Sequence, residues 1–168
     1  MVSNPSTMSD IAPLRRLMQR ADLPQILQIE RASYTYPWTQ QIFKDCLASG
    51  YHCWVLEQGA ELQGYLIWSL ALDEAHILNL CVRSGMRRQG WGRRLLRELC
   101  AVAYKRGARS LFLEVRPSNQ AAVTLYQNAG FCEVGLRKAY YPTPGGREDA
   151  LIMAKSLSEE EPCDPVCY

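Results

Sequence analysis

The segment Arg87-Arg88-Gln89-Gly90-Trp91-Gly92-Arg93 constrains this chain more than any other. It joins an apolar run, 75–82, to a stretch whose apolar Leu95, Leu96, Leu99, Val102 and Ala103 recur at helical spacing. The order is strand, glycine-bearing loop, helix. Such a loop turns several backbone N–H groups toward one point, with the positive end of the helix dipole behind them. Gly90 and Gly92 let a ligand approach the backbone with no Cβ in the way. Together with the flanking arginines this is an anion site, most naturally for a phosphate or pyrophosphate. Two common phosphate loops are excluded. A loop ending in Gly-Lys-Ser/Thr fails because Arg93-Arg94 follows Gly92, and G-x-G-x-x-G fails because Leu95 takes the third glycine's place.

The rest of the chain reads as one α/β domain. A length of 168 residues suits a single core, and a net charge of +2 is too small by itself to mark a nucleic-acid binder. No apolar run is long enough to span a bilayer, and the first residues carry no secretory signal. The seven cysteines are odd in number and scattered without a Cys-x-x-Cys, which points to reduced thiols and a cytoplasmic location. With only His52 and His76 as histidines, no zinc site is expected, and no other metal site is read from the chain.

Periodicity predicts a strand over 14–18 and a helix capped by Asp22. A second helix should run from a Thr39 cap to Ala48, then strands over 51–57, 62–69 and 75–83. After the helix from Gly92 to about Lys105 come a strand over 110–116, a helix capped by Ser118, and strands over 131–137 and 149–155. Residues 1–12 are expected to be a flexible segment, with Met8 a possible start in place of Met1. The domain is placed at 13–157 and a flexible acidic tail at 158–168. Hairpins at both ends of a mixed element order argue for a mixed sheet with helices on its faces.

The pattern Arg87-x-x-Gly90-x-Gly92 resembles the acyl-CoA pyrophosphate loop of the N-acetyltransferase (GNAT) superfamily. Leu113-Glu114-Val115-Arg116-Pro117-Ser118-Asn119, then Ala122, Leu125-Tyr126 and Gly130-Phe131, sharpen that resemblance. With Tyr140-Tyr141-Pro142, Gly146 to Ala150 and the early Pro37-Trp38, they are similar to the branch that acetylates the N-terminal alanine of a bacterial ribosomal protein. The resemblance implies a GNAT fold with a mixed, mostly antiparallel sheet. It implies acetyl-CoA as co-substrate and the N-terminus of a small-subunit ribosomal protein as partner. Nucleic acid is not expected to be met except through the ribosome.

Acetyl transfer from a thioester needs a neutral amine, a polarised carbonyl and a thiolate able to leave. The resemblance implies Glu114 as general base and Tyr126 as general acid. It places Leu80, Cys81 and Val82 along the pantetheine arm and thioester. Arg87, Arg88, Gln89, Gly90, Trp91, Gly92 and Arg93 fall at the pyrophosphate, and Asn119 at CoA. Trp91 is bulky for its position and is expected to turn away from the ligand. Cys81 is expected to pack rather than react, because the family transfers acetyl directly in a ternary complex. Trp38, Tyr140 and Tyr141 are read as walls of a slot for a peptide terminus. An α-amine has a pKa of about 7.7–8.0 against about 10.4 for lysine, so at neutral pH it is roughly a few hundred times more often neutral. Transfer to a small amine or a lysine stays open at this point. So does a basic RNA-binding patch built from Arg87, Arg88, Arg93, Arg94 and Arg97 with Trp91.

Overall fold

A computed structural model of the chain describes residues 12–159. In chain order they form β1 (Leu14–Leu17), α1 (Leu23–Ser33), α2 (Gln40–Ala48), β2 (His52–Gln58), β3 (Glu61–Ala71) and β4 (Glu74–Val82). Then follow α3 (Trp91–Lys105), β5 (Ser110–Val115), α4 (Gln120–Asn128), β6 (Cys132–Thr143) and β7 (Gly146–Ser156). The strands make one sheet in the order β1-β2-β3-β4-β5-β7-β6. Every pair is antiparallel except β4–β5, which α3 joins as a crossover. The expectations for the two chain ends, including the choice between Met1 and Met8, fall largely outside the described residues.

The sheet is covered on both faces, as anticipated. Leu95, Leu96, Leu99 and Ala103 of α3 and Val123 and Tyr126 of α4 pack with Trp54, Leu66, Trp68, Leu111, Leu113 and Met153 on one face. Leu23, Ile26 and Ile29 of α1 and Phe43 of α2 pack with Cys53, Val55, Tyr65 and Ile67 on the other. The interior strand β3 is therefore buried on both sides from Leu62 to Trp68, whereas β5 alternates, with Leu111, Leu113 and Val115 inward.

One irregularity decides the shape of the site. The parallel register of β4 and β5 runs from Glu74↔Ser110 to Ile77↔Leu113 and ends there. Immediately beyond, the β3–β4 ladder steps from Trp68↔Ile77 to Ile67↔Asn79, leaving Leu78 as an extra residue of β4. A bulge bends and twists the strand that carries it. It turns the remainder of β4, to Val82, away from β5 while β3 stays paired with it.

Several local expectations need correction. Asp22 stands at the N-cap of α1, but its carboxylate does not cap that helix. The Arg16 guanidinium takes both its oxygens at 2.8 Å, and the Gln19 amide donates to it at 2.7 Å. This pairing holds the Asp22 carboxyl below the usual carboxylate range. Ser118 does not cap α4. Asn119 does, its Oδ1 accepting from the Ala122 amide at 3.2 Å, while the Ser118 hydroxyl donates to Glu148 at 2.9 Å. The last two strands are longer than predicted, so Tyr140 and Tyr141 lie within β6 rather than in a loop. Thr39 caps α2 as expected, its hydroxyl accepting from the Ile42 amide.

Gly64 faces Val82 across β3–β4, and a Cβ there would sit 2.6 Å from the Cys81 carbonyl oxygen and 3.2 Å from Val82 Cα. Gly64→Ala must therefore push the two strands apart. We expect it to cost about 1–3 kcal/mol of stability, as overpacking in a core commonly does. A denaturation midpoint equal to that of the wild type would contradict the closeness of the two strands.

Candidate active site

The anion loop follows from the end of β4. The Arg83 amide donates to Gln63 O at 2.7 Å and its guanidinium to Leu62 O at 3.0 Å, so the chain leaves the sheet at a fixed angle. A single 3-10 turn over Ser84–Met86 leads to Arg88 at φ +64 and Gly90 at φ +85. Left-handed backbone suits glycine but strains an arginine by about 1 kcal/mol or more. Gly90 is the N-cap of α3, and the Arg94 amide makes its intrahelical bond to Gly90 O at 2.9 Å. The amides of Trp91, Gly92 and Arg93 precede that ladder and point out of the helix end, as an anion cradle requires. A Cβ on Gly92 would lie 3.2 Å from Leu125 Cδ2, so this glycine lets α3 begin against α4.

The residues of the loop divide by what they touch. Arg87, though exposed, folds back on the chain, donating to Val82 O and to the Ser33 hydroxyl, each at 2.9 Å. Gln89 donates to Gly85 O at 3.2 Å. Trp91 is half-buried, its indole nitrogen enclosed without an acceptor among the described residues, and the Arg94 guanidinium lies 5.5 Å from its ring. Arg88 and Arg93 are exposed beside the helix end. Of the arginines counted as a basic patch, Arg94 is also tied to Glu98 at 2.9 Å and to Pro13 O at 3.2 Å.

Leu80, Cys81 and Val82 lie on the parted stretch of β4, paired with β3 on one edge and past the end of the β5 register on the other. That second edge is where an extended, amide-bearing ligand could pair. The Tyr34 hydroxyl donates to Leu80 O at 3.2 Å. Cys81 is buried, 3.2 Å from the Ser33 hydroxyl, and burial pushes its thiol up. A thiol held in that form is a poor nucleophile.

Glu114 and Tyr126 approach the parting from opposite faces. Leu113 and Val115 point into the α3/α4 core, so Glu114 between them points to the other side of the sheet. Its carboxylate pairs with Arg137 Nε at 2.8 Å and accepts a hydrogen bond from the Tyr140 hydroxyl. Tyr126 is 7% exposed on α4, edge-on to Phe131 at 5.7 Å. Burial pushes its phenol above the ordinary tyrosine value, with Tyr141 and then Cys81 adding to the shift. Burial likewise raises Tyr141, up to about 12, with the charge of Glu114 next in effect. Tyr141 thus stands in the field of Glu114 and Tyr126 in the field of Tyr141. Arg116 stacks over the Tyr141 ring at 4.3 Å and pairs with Glu148 at 2.8 Å, fixing that wall. Trp38, the other wall read from sequence, packs tilted on Phe43 at 5.4 Å.

No sequence pattern singled out Glu30, yet it is a buried carboxylate, 1% exposed on α1. Its signal was present: it continues the apolar stripe of Ile26, Leu27 and Ile29, where an acidic residue is out of place. Among the described residues no group of His, Cys, Asp and Glu side chains is gathered to hold a metal. No helix among them is long and apolar enough to cross a membrane.

A strand parted from its parallel neighbour, followed by an amide cradle at a helix start, is the arrangement of an acyl-CoA-dependent transferase. Residues 23–131 match the Acetyltransferase (GNAT) family, and the chain belongs to it. It is 40% identical over 141 residues to the ribosomal protein bS18-alanine N-acetyltransferase of Escherichia coli (strain K12), covering 84% of this chain and 95% of the relative. The protein of that name from Haemophilus influenzae is 35% identical, covering 82% and 94%. The crystal structure of the ribosomal-protein-S18-alanine N-acetyltransferase from Escherichia coli superposes with a TM-score of 0.81 at 39% identity, over 87% of this chain and 94% of that one.

Substitution at Gly90 tests the cradle. A Cβ there meets nothing within 4 Å, so the penalty comes from φ +85 alone. We expect Gly90→Val to fold, to bind CoA more weakly and to lose much of the thermal stabilisation that a ligand of the native state confers. Wild-type CoA affinity in that variant would move the anion site elsewhere.

Proposed function

We propose that this protein transfers an acetyl group from acetyl-CoA to the N-terminal α-amine of a protein, the N-terminal alanine of a small-subunit ribosomal protein. The observation that carries this reading is the parting of β4 from β5 after Ile77 and Leu113, with Glu114 on one face of the gap and Tyr126 on the other. The two relatives above carry the name of that activity, and this chain covers nearly their whole length. The amides of Trp91, Gly92 and Arg93, with Arg88 and Arg93 beside them, would hold the pyrophosphate, and the open edge of β4 at Leu80–Val82 would pair with the pantetheine arm.

In this reading Glu114 removes the proton from the incoming ammonium. The freed nitrogen forms its bond to the thioester carbonyl carbon, the C–S bond breaks while the Tyr126 hydroxyl donates a hydrogen bond to the departing sulfur, and the second proton lost from nitrogen as the amide forms balances the one the thiolate takes up. Cys81 takes no part, and no acyl-enzyme is formed. Tyr140, Tyr141 and Trp38 bound the slot through which a peptide terminus enters. An α-amine suits such a site because about one pKa unit, rather than about three, separates it from neutrality at pH 7.

Glu114→Gln and Tyr126→Phe keep shape and remove the group that handles a proton. Each should lower turnover by about 10²–10⁴-fold. The Glu114→Gln loss should shrink above about pH 8, where the amine is already neutral. A deficit of constant size from acid to alkaline pH would remove Glu114 from the base role.

The substrate itself is tested with one peptide in two forms. With a free N-terminal alanine it should gain a single acetyl group, located by mass spectrometry on the α-nitrogen. With a blocked terminus and a lysine present it should be nearly inert. Acetyl on the lysine would overturn the reading.

A further inference from the structure

Glu30 has no part in the chemistry above, yet it is the most fully enclosed carboxylate among the described residues. Its Oε1 accepts from the Trp38 amide at 2.7 Å. Its Oε2 accepts from the Tyr65 hydroxyl and from Asn79 Nδ2, the latter at 3.3 Å. The three donors come from three places: the connection between α1 and α2, the interior strand β3, and β4. Asn79 is the residue directly after the Leu78 bulge, where β4 has just left β5.

These contacts close a ring. Trp38 packs on Phe43 at 5.4 Å, and Phe43 meets Tyr65 edge-on at 5.6 Å. Tyr65 donates to Glu30, and Glu30 holds the Trp38 amide. Packing alone does not call for a carboxylate here. Ile26, Leu27 and Ile29 fill the same stripe of α1 with apolar groups, and burying an acidic side chain costs free energy that an apolar one of similar size would not. What the carboxylate adds is simultaneous acceptance from a loop amide and from a strand that has been bent away from its neighbour.

We propose that Glu30 is a positioning residue. It pins the loop carrying Trp38 to the parted half of β4, so that the acceptor slot and the thioester edge keep one alignment. This rests on the acetyl-transfer reading above. Direct attack depends on near-contact geometry between amine and carbonyl, and small misplacements between two walls of a site are costly in rate.

The test uses Glu30→Gln, whose single acceptor oxygen can serve the Trp38 amide or the Tyr65 and Asn79 donors but not all three. At saturating acetyl-CoA, kcat/KM for the alanine-starting peptide should fall about tenfold or more, as expected for lost hydrogen bonds to a carboxylate. The dissociation constant for acetyl-CoA should change far less than kcat/KM, because the cradle at Arg88–Arg93 shares no partner with Glu30 and only the Leu80–Val82 edge lies next to Asn79. With no substrate present, amide hydrogen exchange over residues 34–39 should quicken. Wild-type kcat/KM and wild-type exchange would overturn the proposal. So would a loss of acetyl-CoA affinity in step with peptide kcat/KM, since that marks general loosening. If Glu30→Gln does not fold, Tyr65→Phe removes one donor and leaves the carboxylate; it should lower kcat/KM in the same sense by a smaller factor, and no change would overturn the proposal. A wild-type protein inert toward every alanine-starting peptide would sink the acetyl-transfer reading instead, and the exchange measurement would still decide Glu30.

Discussion

The site depends on the failure of one strand pairing. β4 and β5 are the only parallel neighbours among the described strands, and they are paired only as far as Ile77 and Leu113. A sheet with its ladders complete has no backbone edge in its middle to offer a ligand. Here the extra residue Leu78 turns β4 aside, and the strand's free edge over Leu80–Val82 opens inside the protein rather than at its rim. Two carbonyls of this stretch are held by side chains, Leu80 O by the Tyr34 hydroxyl and Val82 O by Arg87, rather than by a neighbouring strand. The same bend sends the chain toward the Arg87–Arg93 loop, so the edge and the anion cradle form one continuous path.

The electrostatics around this path are divided between holding and binding. Arg16 joins Asp22 to Glu57, Arg15 and Arg94 share Glu98, and Arg87 is taken by Ser33 and Val82 O. These arginines hold the N-terminal strand, α3 and the loop in place. Arg88 and Arg93 are left outward, next to the unpaired amides of α3. In the proposed function the charge at the cradle comes from the helix start and from Arg88 and Arg93 alone, which would suit a compact anion better than a long polyanion.

What the sequence made legible was whatever depends on neighbours along the chain. The Thr39 cap, the strand over 110–116 and the helical spacing of α3 are local, and each stands within a residue of where the sequence put it. What it hid was decided across the sheet. Ser118 and Asn119 are both good caps, and the choice fell to Asn119 because Glu148, from β7, captures the Ser118 hydroxyl. Asp22 was drawn from its capping role by Arg16, a residue of β1. Tyr140 and Tyr141 fell between the strands read at 131–137 and 149–155, yet β6 runs through them to Thr143 as an edge strand, where Pro142 can stand without breaking a ladder on both sides. The Leu78 bulge has no marker of its own, since an extra leucine in an apolar run looks like the run.

Burial of Tyr126 sharpens what that residue can contribute to the proposed reaction. A free phenol titrates near 10 and a thiol near about 8.5. Enclosure moves the Tyr126 phenol higher still, with Tyr141 and Cys81 adding to it. The hydroxyl therefore keeps its proton at neutral and mildly alkaline pH, where the α-amine becomes neutral. Complete transfer of that proton to a free thiolate would run uphill by more than about one pKa unit. The favourable contribution comes earlier, while charge is growing on sulfur and the C–S bond is lengthening. A fixed hydroxyl in a water-poor site stabilises that charge with little reorganisation. A buried tyrosine suits this role better than an exposed one, because the enclosure that weakens it as an acid strengthens its hydrogen bond. The same enclosure sets it edge-on to Phe131 within the core that α3 and α4 form against the sheet.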